Sequence, residues 1–399
     1  MALRKPIRAF VLAVAFVFFP AGASSQTSAS GTVPLIIDGN RVYAQLAIRR
    51  PNGTWRDVVF FVDPGSASMI VSPALLLELN LGPQIPLMFR LGEMTVAVNS
   101  CLLTGDPWLP FTVAGNRKVE GLLPAGVLQK FTVVIDYGHH LLTLAQPGTL
   151  EPGGTSVPIE VNETTGLAVV EAKIDRKTYP ITIDNGSAYT WLGKSAANEW
   201  LGTHPEWHRG IGAVGVSNMR MEDDGVEAAG LLLRIPEVRL GSLTIPDMGA
   251  LAIGPNQANW DLLDWYSQKN PIPVIGWLGG NVLRNFRITI DYPKRMSYWV
   301  RQSAPDEHEL DQVGLTLSAR GGELFVAGVA TQNGKATVAG VQVGDKLVRI
   351  DDLPAKNANW GAIFAAMHGK PGEIRTLRLE RNGKSFTVNA RVTSFLVSL

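Results

Sequence analysis

The chain has 399 residues, a formal net charge of +1, 46% hydrophobic residues, 41 Gly and 25 Pro. A nearly neutral chain without a basic run gives no indication of a nucleic-acid or anionic-membrane partner, and a single cysteine, Cys101, excludes an intrachain disulfide scaffold. The length suffices for two or three domains, and apolar residues interspersed with this many turn formers predict numerous short strands.

Residues 1–23 read as a secretory signal. Arg4, Lys5 and Arg8 precede an apolar stretch from Ala9 to Phe19, and Ala21-Gly22-Ala23 is a small-residue cleavage site. The mature chain is expected to start near Ser24 and to be exported, periplasmic or extracellular. The small polar residues of 24–30 form a flexible lead-in. No later run is long and apolar enough for a stable membrane anchor.

The first informative phrase follows the apolar run Val58-Val59-Phe60-Phe61-Val62. It is Asp63-Pro64-Gly65-Ser66-Ala67. A strand ending in Asp-x-Gly-Ser sets a carboxylate in a tight turn, where Gly lets N–H groups approach one oxygen and the Ser hydroxyl is expected to hold the other. Further along, Phe89-Arg90-Leu91-Gly92-Glu93-Met94-Thr95-Val96 predicts a hairpin that would serve as a flap. Cys101, beside Leu102-Leu103, reads as a buried strand residue rather than a thiol nucleophile. Gly121-Leu122-Leu123-Pro124-Ala125-Gly126-Val127-Leu128 and Phe131-Thr132-Val133-Val134-Ile135-Asp136-Tyr137 then close the first part.

All of this recurs. Asp184-Asn185-Gly186-Ser187-Ala188 repeats the Asp turn at an offset of 121 (184 − 63). Gly276-Trp277-Leu278-Gly279-Gly280-Asn281-Val282-Leu283 and Phe286-Arg287-Ile288-Thr289-Ile290-Asp291-Tyr292 repeat the later phrases at an offset of 155 (286 − 131). The second half therefore carries 34 extra residues (155 − 121) between its Asp turn and its Gly phrase. Two copies make a duplicated lobe rather than a solenoid. Two carboxylates at equivalent turns suggest a pair facing each other across a local twofold axis. Such a pair shares one proton, so one member can act as base and the other as acid, with no metal and no cofactor. Gly210-Ile211-Gly212-Ala213-Val214-Gly215 matches a dinucleotide fingerprint only formally, since no strand precedes it; a Gly-rich hairpin over the cleft is expected there.

On these residues the segment 31–303 resembles the pepsin/retropepsin superfamily of aspartic proteases. The resemblance implies a mostly β, bilobal acid-protease β-barrel fold, with lobe one at 31–150 and lobe two at 151–303. It implies Asp63 and Asp184 as the catalytic pair and Gly65, Ser66, Asn185, Gly186 and Ser187 as their supporting turns. Gly121 and Gly276 would brace the Asp loops. There are departures. The family's Thr after each Asp, which grips the opposite loop, is replaced by Pro64 and Asn185. Proline has neither hydroxyl nor N–H, so only Asn185 can reach across. Glu120 stands where the bracing motif expects an apolar residue, and no tyrosine lies between 66 and 121 to serve as a flap tyrosine.

After a charged stretch at 304–312, read as a solvated linker, the segment 313–399 resembles a bacterial-type PDZ domain. The carrying phrase is Ala339-Gly340-Val341-Gln342-Val343-Gly344-Asp345-Lys346-Leu347-Val348-Arg349-Ile350-Asp351-Asp352. The resemblance implies a β-sandwich or barrel that captures peptide C-termini as an added strand. The carboxylate nest would be Val313-Gly314-Leu315-Thr316, flanked by helix residues Ile363 and Met367. The alternative is a PDZ fold that only packs against the lobes. Two readings of the whole follow. The first is an exported aspartic endopeptidase acting on polypeptides; the second is a catalytically inactive homologue that binds peptides or acts as a scaffold.

Overall fold

A computed structural model describes residues 28–80, 86–98, 118–212, 228–255, 261–332, 335–394 and 396. The signal segment, Cys101 and the 213–215 part of the Gly-rich phrase lie outside the described residues. Half of the chain is strand and 12% is helix, so the fold is mostly β.

The duplication is visible in the register of one strand pair. Thr132–Asp136 and Phe286–Asp291 lie antiparallel, with Val134 directly opposite Thr289. Those two positions differ by 155 (289 − 134), so each faces its own counterpart, and a local twofold axis passes between them. Leu141–Ala145 and Ser30–Asp38 extend the sheet on one side, Met296–Arg301 and Thr155–Pro158 on the other. Alternating apolar residues in these strands turn Val133, Ile135, Ile288 and Ile290 into one continuous core.

Each half builds its Asp strand in the same way. Trp55–Asp63 pairs antiparallel with Arg41–Arg49 and parallel with Val119–Pro124. Lys177–Ile183 pairs antiparallel with Ala168–Ile174 and parallel with Gly276–Leu278. Val62 stands opposite Leu123, and Ile183 opposite Leu278, which are equivalent pairs under the two offsets. Strands flanked on both sides must be apolar on both faces, hence the unbroken run from Val58 to Val62. A short helix follows each bracing strand, Ala125–Leu128 in one half and Gly280–Leu283 in the other.

The hairpin expected around Phe89 forms, as Leu87–Leu91 and Met94–Val98, but it is not a flap. Its alternation puts Phe89, Leu91, Met94 and Val96 on one buried face. The turn glycine, Gly92, takes φ +56° and packs on the main chain of Gly31 and Thr32. A hairpin anchored in this way walls the core of the first half.

The C-terminal sheet runs Leu315–Arg320, Glu323–Val329, Lys346–Ile350, Ile374–Arg381, Lys384–Arg391, with Leu353–Pro354 beside Lys346–Ile350. It packs on the helix Trp360–Met367, whose N-cap Asn359 accepts from Ala362 N. Asp345 of the glycine-flanked phrase is buried and takes both guanidinium donors of Arg381, at 2.6 and 2.7 Å.

Only the first part of the stretch 304–312 is solvated, with Ala304 and 306–308 exposed. Glu309, Leu310, Asp311 and Gln312 are buried. Leu310, with Ala330 and Leu396, joins a cluster formed by Tyr189, Trp191, Tyr266 and Trp277 of the second half. Burying one such leucine contributes roughly 2 kcal/mol. A second contact joins the C-terminal unit to the first half. Gly361 N, in the first turn of the Trp360–Met367 helix, donates to Asp38 Oδ1 at 2.6 Å, so a carboxylate meets the positive end of the helix.

Candidate active site

Asp63 ends its strand, and Asp184 follows Ile183 directly. Gly65 N donates to Asp63 Oδ1 at 2.9 Å; Gly186 N donates to Asp184 Oδ1 at 2.8 Å. Behind each turn the short helix is tied in by an equivalent bond: Ala125 N donates to Ser66 O, and Gly280 N to Ser187 O, both at 2.8 Å. Each turn glycine lies under the opposite carboxylate. A Cβ on Gly65 would collide with Asp184, and one on Gly186 with Asp63. The two acids therefore face each other within hydrogen-bond reach, 4% and 7% exposed.

Burial lifts both carboxyls, because a charge is costly away from water. Asp63 stands well above the usual carboxylate range: after burial, the negative charge of Asp184 pushes it up further, and the Gly65 N–H only partly offsets this. Asp184 is also raised by burial, but it is held down by Gly186 N–H, by the hydrogen bond with Asp63 and by Ser187 N–H at 3.3 Å. The extra donor leaves the two carboxyls inequivalent, with more main-chain N–H groups on Asp184.

The serine hydroxyls do not hold the acids. Ser187 Oγ donates to Tyr189 O at 2.6 Å, because the turn places that carbonyl nearer than the carboxylate, and Ser187 supports Asp184 through its main chain instead. Ser66 likewise contributes main-chain bonds, its N donating to Asp63 O at 3.1 Å. Asn185 does reach across: its Nδ2 donates to Val62 O at 3.1 Å, just before Asp63. Gly121 and Gly276 leave room for close packing; a Cβ would strike the Phe60 ring at the first and Trp191 O at the second. Glu120, the polar departure, is buried and takes two bonds of 2.9 Å from Arg56.

Four neighbours of the acids were not singled out by sequence. Arg41 is 2% exposed, donates from Nε to Gly186 O at 3.3 Å, and its charge favours the ionised form of both acids. Tyr137 and Tyr292 are buried beside Asn185 and Asp63. They end the two repeated phrases, so the duplication itself was a signal for them. Tyr266 brings its hydroxyl next to Thr182 and Asp184 from the helix Leu262–Ser267, between the second Asp turn and the Gly276 phrase. No repeat could have flagged it.

The residues expected to form a peptide nest are buried, at and just before the strand Leu315–Arg320 on the edge of its sheet. Val313, Gly314, Leu315 and Thr316 are buried, as are Ile363 and Met367. Val313 N already donates to Met367 O at 3.1 Å, Gly314 O accepts from Ala330 N at 2.8 Å, and Leu315 and Thr316 pair with Val329 and Gly328. Their side chains or main chains are spent on the core of the C-terminal unit, which spacing in the sequence does not reveal. No protein-family model and no curated protein matches the chain.

Proposed function

We propose that this chain is an exported aspartic-type endopeptidase of the two-lobed pepsin/retropepsin kind, hydrolysing polypeptides with a water held between Asp63 and Asp184. The observation that carries the reading is the pair of buried carboxyls, facing each other from equivalent turns about one local axis. The ionised Asp184 takes a proton from water as the water oxygen bonds to the scissile carbonyl carbon. Asp63 gives its proton to the carbonyl oxygen, and a neutral gem-diol results. In collapse, the proton on Asp184 passes to the departing nitrogen, a diol hydroxyl returns its proton to Asp63, and the C–N bond breaks. The acids end as they began.

The C-terminal unit reads as PDZ-type through Gly340, Gly344 and Asp345, but with its nest residues engaged internally we assign it a bracing role against both halves. The inactive-scaffold reading draws on Pro64 and on the deep burial of the acids. Binding of a peptide whose scissile amide is replaced by a hydroxyl-bearing tetrahedral carbon separates the two, since such a group mimics the gem-diol. Calorimetry on residues 24–399 should show binding that is lost in Asp63→Asn and Asp184→Asn. Equal binding by all three proteins would favour the scaffold.

A further inference from the structure

Pro64 leaves the two Asp turns without half of the reciprocal grip, yet they sit face to face. The turn joining Ser30–Asp38 to Arg41–Arg49 accounts for this. Gly39 and Asn40 adopt φ +57° and +67°, the tight geometry of a two-residue hairpin turn. That turn is driven into the second half: Gly280 meets Asn40 O so closely that a Cβ could not be added there. Asn40 Nδ2 donates to Ala188 O at 3.3 Å, and Asn40 Oδ1 accepts from Arg284 at 2.9 Å. Arg41 Nε bonds Gly186 O. Two adjacent residues of the first half thus hold two carbonyls of the second Asp turn.

We infer that Arg41, with Asn40, replaces the cross-lobe grip that Pro64 removes, and that Arg41 is the positioning residue fixing the Gly186 turn against Asp63. On the other side Gly166 approaches the main chain of Ala125 and Gly126, and the residue after it is Leu167, not a cation. A buried guanidinium is expensive unless acceptors and negative charge meet it, and this one has the Gly186 carbonyl on Nε and the charge of the nearby acids. Asp38, Asp63 and Asp184 are the acids around it, and Tyr43 is the adjoining phenol. Tyr137, Tyr266 and Tyr292 are the other titratable groups facing the acids. Arg41 therefore acts twice, as a tie and as a fixed positive charge that opposes the burial of the acids. Asp38 is in turn held by Gly361 of the C-terminal unit, so the brace ends one turn from this tie.

The catalytic consequence rests on the peptidase reading; the tie and the charge do not. Both are tested by carboxyl NMR titration and thermal unfolding of residues 24–399, neither of which needs turnover. Arg41→Met should raise the titration of the acids by about one pH unit, a tenfold change in proton affinity, and lower the unfolding midpoint. Adding Pro64→Thr to Arg41→Met should recover at least half of the lost midpoint, because it restores a hydroxyl and an N–H at the interface. Arg41→Lys should keep the titration near that of the parent while still losing midpoint; it is the variant to read if Arg41→Met does not fold. An unmoved titration in Arg41→Met, or in its place a titration in Arg41→Lys shifted as though the charge were absent, overturns the electrostatic role. A midpoint that Pro64→Thr does not recover, or that Arg41→Lys does not lower, overturns the tie. Shifts as expected with no peptide cleavage would sink the peptidase reading and leave this inference standing.

Discussion

Asp63 and Asp184 occupy equivalent turns but receive unequal support: one main-chain N–H reaches Asp63 Oδ1, whereas two reach Asp184 Oδ1. The difference breaks the symmetry that the duplication would otherwise impose, and it makes the two carboxyls inequivalent.

The burial of Asp63 has a stability consequence of definite sign. Its folded-state affinity for protons exceeds that of the unfolded chain, so its contribution is most favourable below the usual Asp range and is lost as pH rises through the folded value. Asp63→Asn should therefore stabilise the protein at neutral pH by about 1–2 kcal/mol and flatten the pH dependence of its unfolding midpoint. Thermal scans from acid to neutral pH check this; a variant less stable than the parent at neutral pH would refute it.

Glu309 should act in the same sense at the joint with the C-terminal unit. Burial pushes it up to about 7, against the opposing pull of Arg234 and Arg284. Stability contributed by the neutral form is full below the ordinary Glu range and declines as pH climbs towards neutrality. Glu309→Gln should remove that decline, measured as unfolding midpoints on either side of pH 7. An unchanged slope would mean that Glu309 ionises freely in the folded state.

The C-terminal unit should be needed for the stability of the second half. Leu310→Ala leaves a cavity against Tyr189, Trp191 and Trp277 and should cost about 2–4 kcal/mol in denaturant unfolding. Truncation after 303 should expose the same aromatics and lower the unfolding midpoint of what remains. A truncated chain as stable as the parent would restore the picture of a free linker.

Glu120 should matter only through its partner. Arg56→Met leaves the buried Glu120 carboxylate with Lys118 at 3.9 Å and should destabilise by about 2 kcal/mol, discounted because Arg56 is 24% exposed. Arg56→Met with Glu120→Leu should recover most of the loss. Double-mutant unfolding measures the coupling; additive effects would show that the pair contributes nothing.

The parts of this molecule that were legible in sequence are those written twice. The Asp turns, the bracing glycines and the paired Ile-Asp-Tyr endings repeat at fixed offsets, whereas the register of Val134 on Thr289 is seen only in the structure. Asn185 was readable because the loss of Thr leaves it the only side chain of the two turns able to reach across. Arg41 was not, since an arginine at the start of a strand carries no local sign that its guanidinium will be buried against another turn. Tyr266 lies outside the repeated phrases. The difference at 309–312 has a simple cause. Charged residues there suggested solvent, but Glu309 is buried and Leu310 enters an aromatic cluster that sequence alone does not assemble. The Phe89 hairpin was placed correctly in the chain and wrongly in space, because alternation marks a buried face without saying what covers it.

The most direct measurement is the pH dependence of kcat/KM for cleavage of an unfolded polypeptide by residues 24–399. The expected result is a bell whose optimum lies below neutrality, one limb reporting loss of the shared proton and the other its addition to both acids, with cleavage abolished in both Asp63→Asn and Asp184→Asn. Cleavage that survives either substitution, or no cleavage at any pH from acid to neutral, would contradict a shared-proton pair at work.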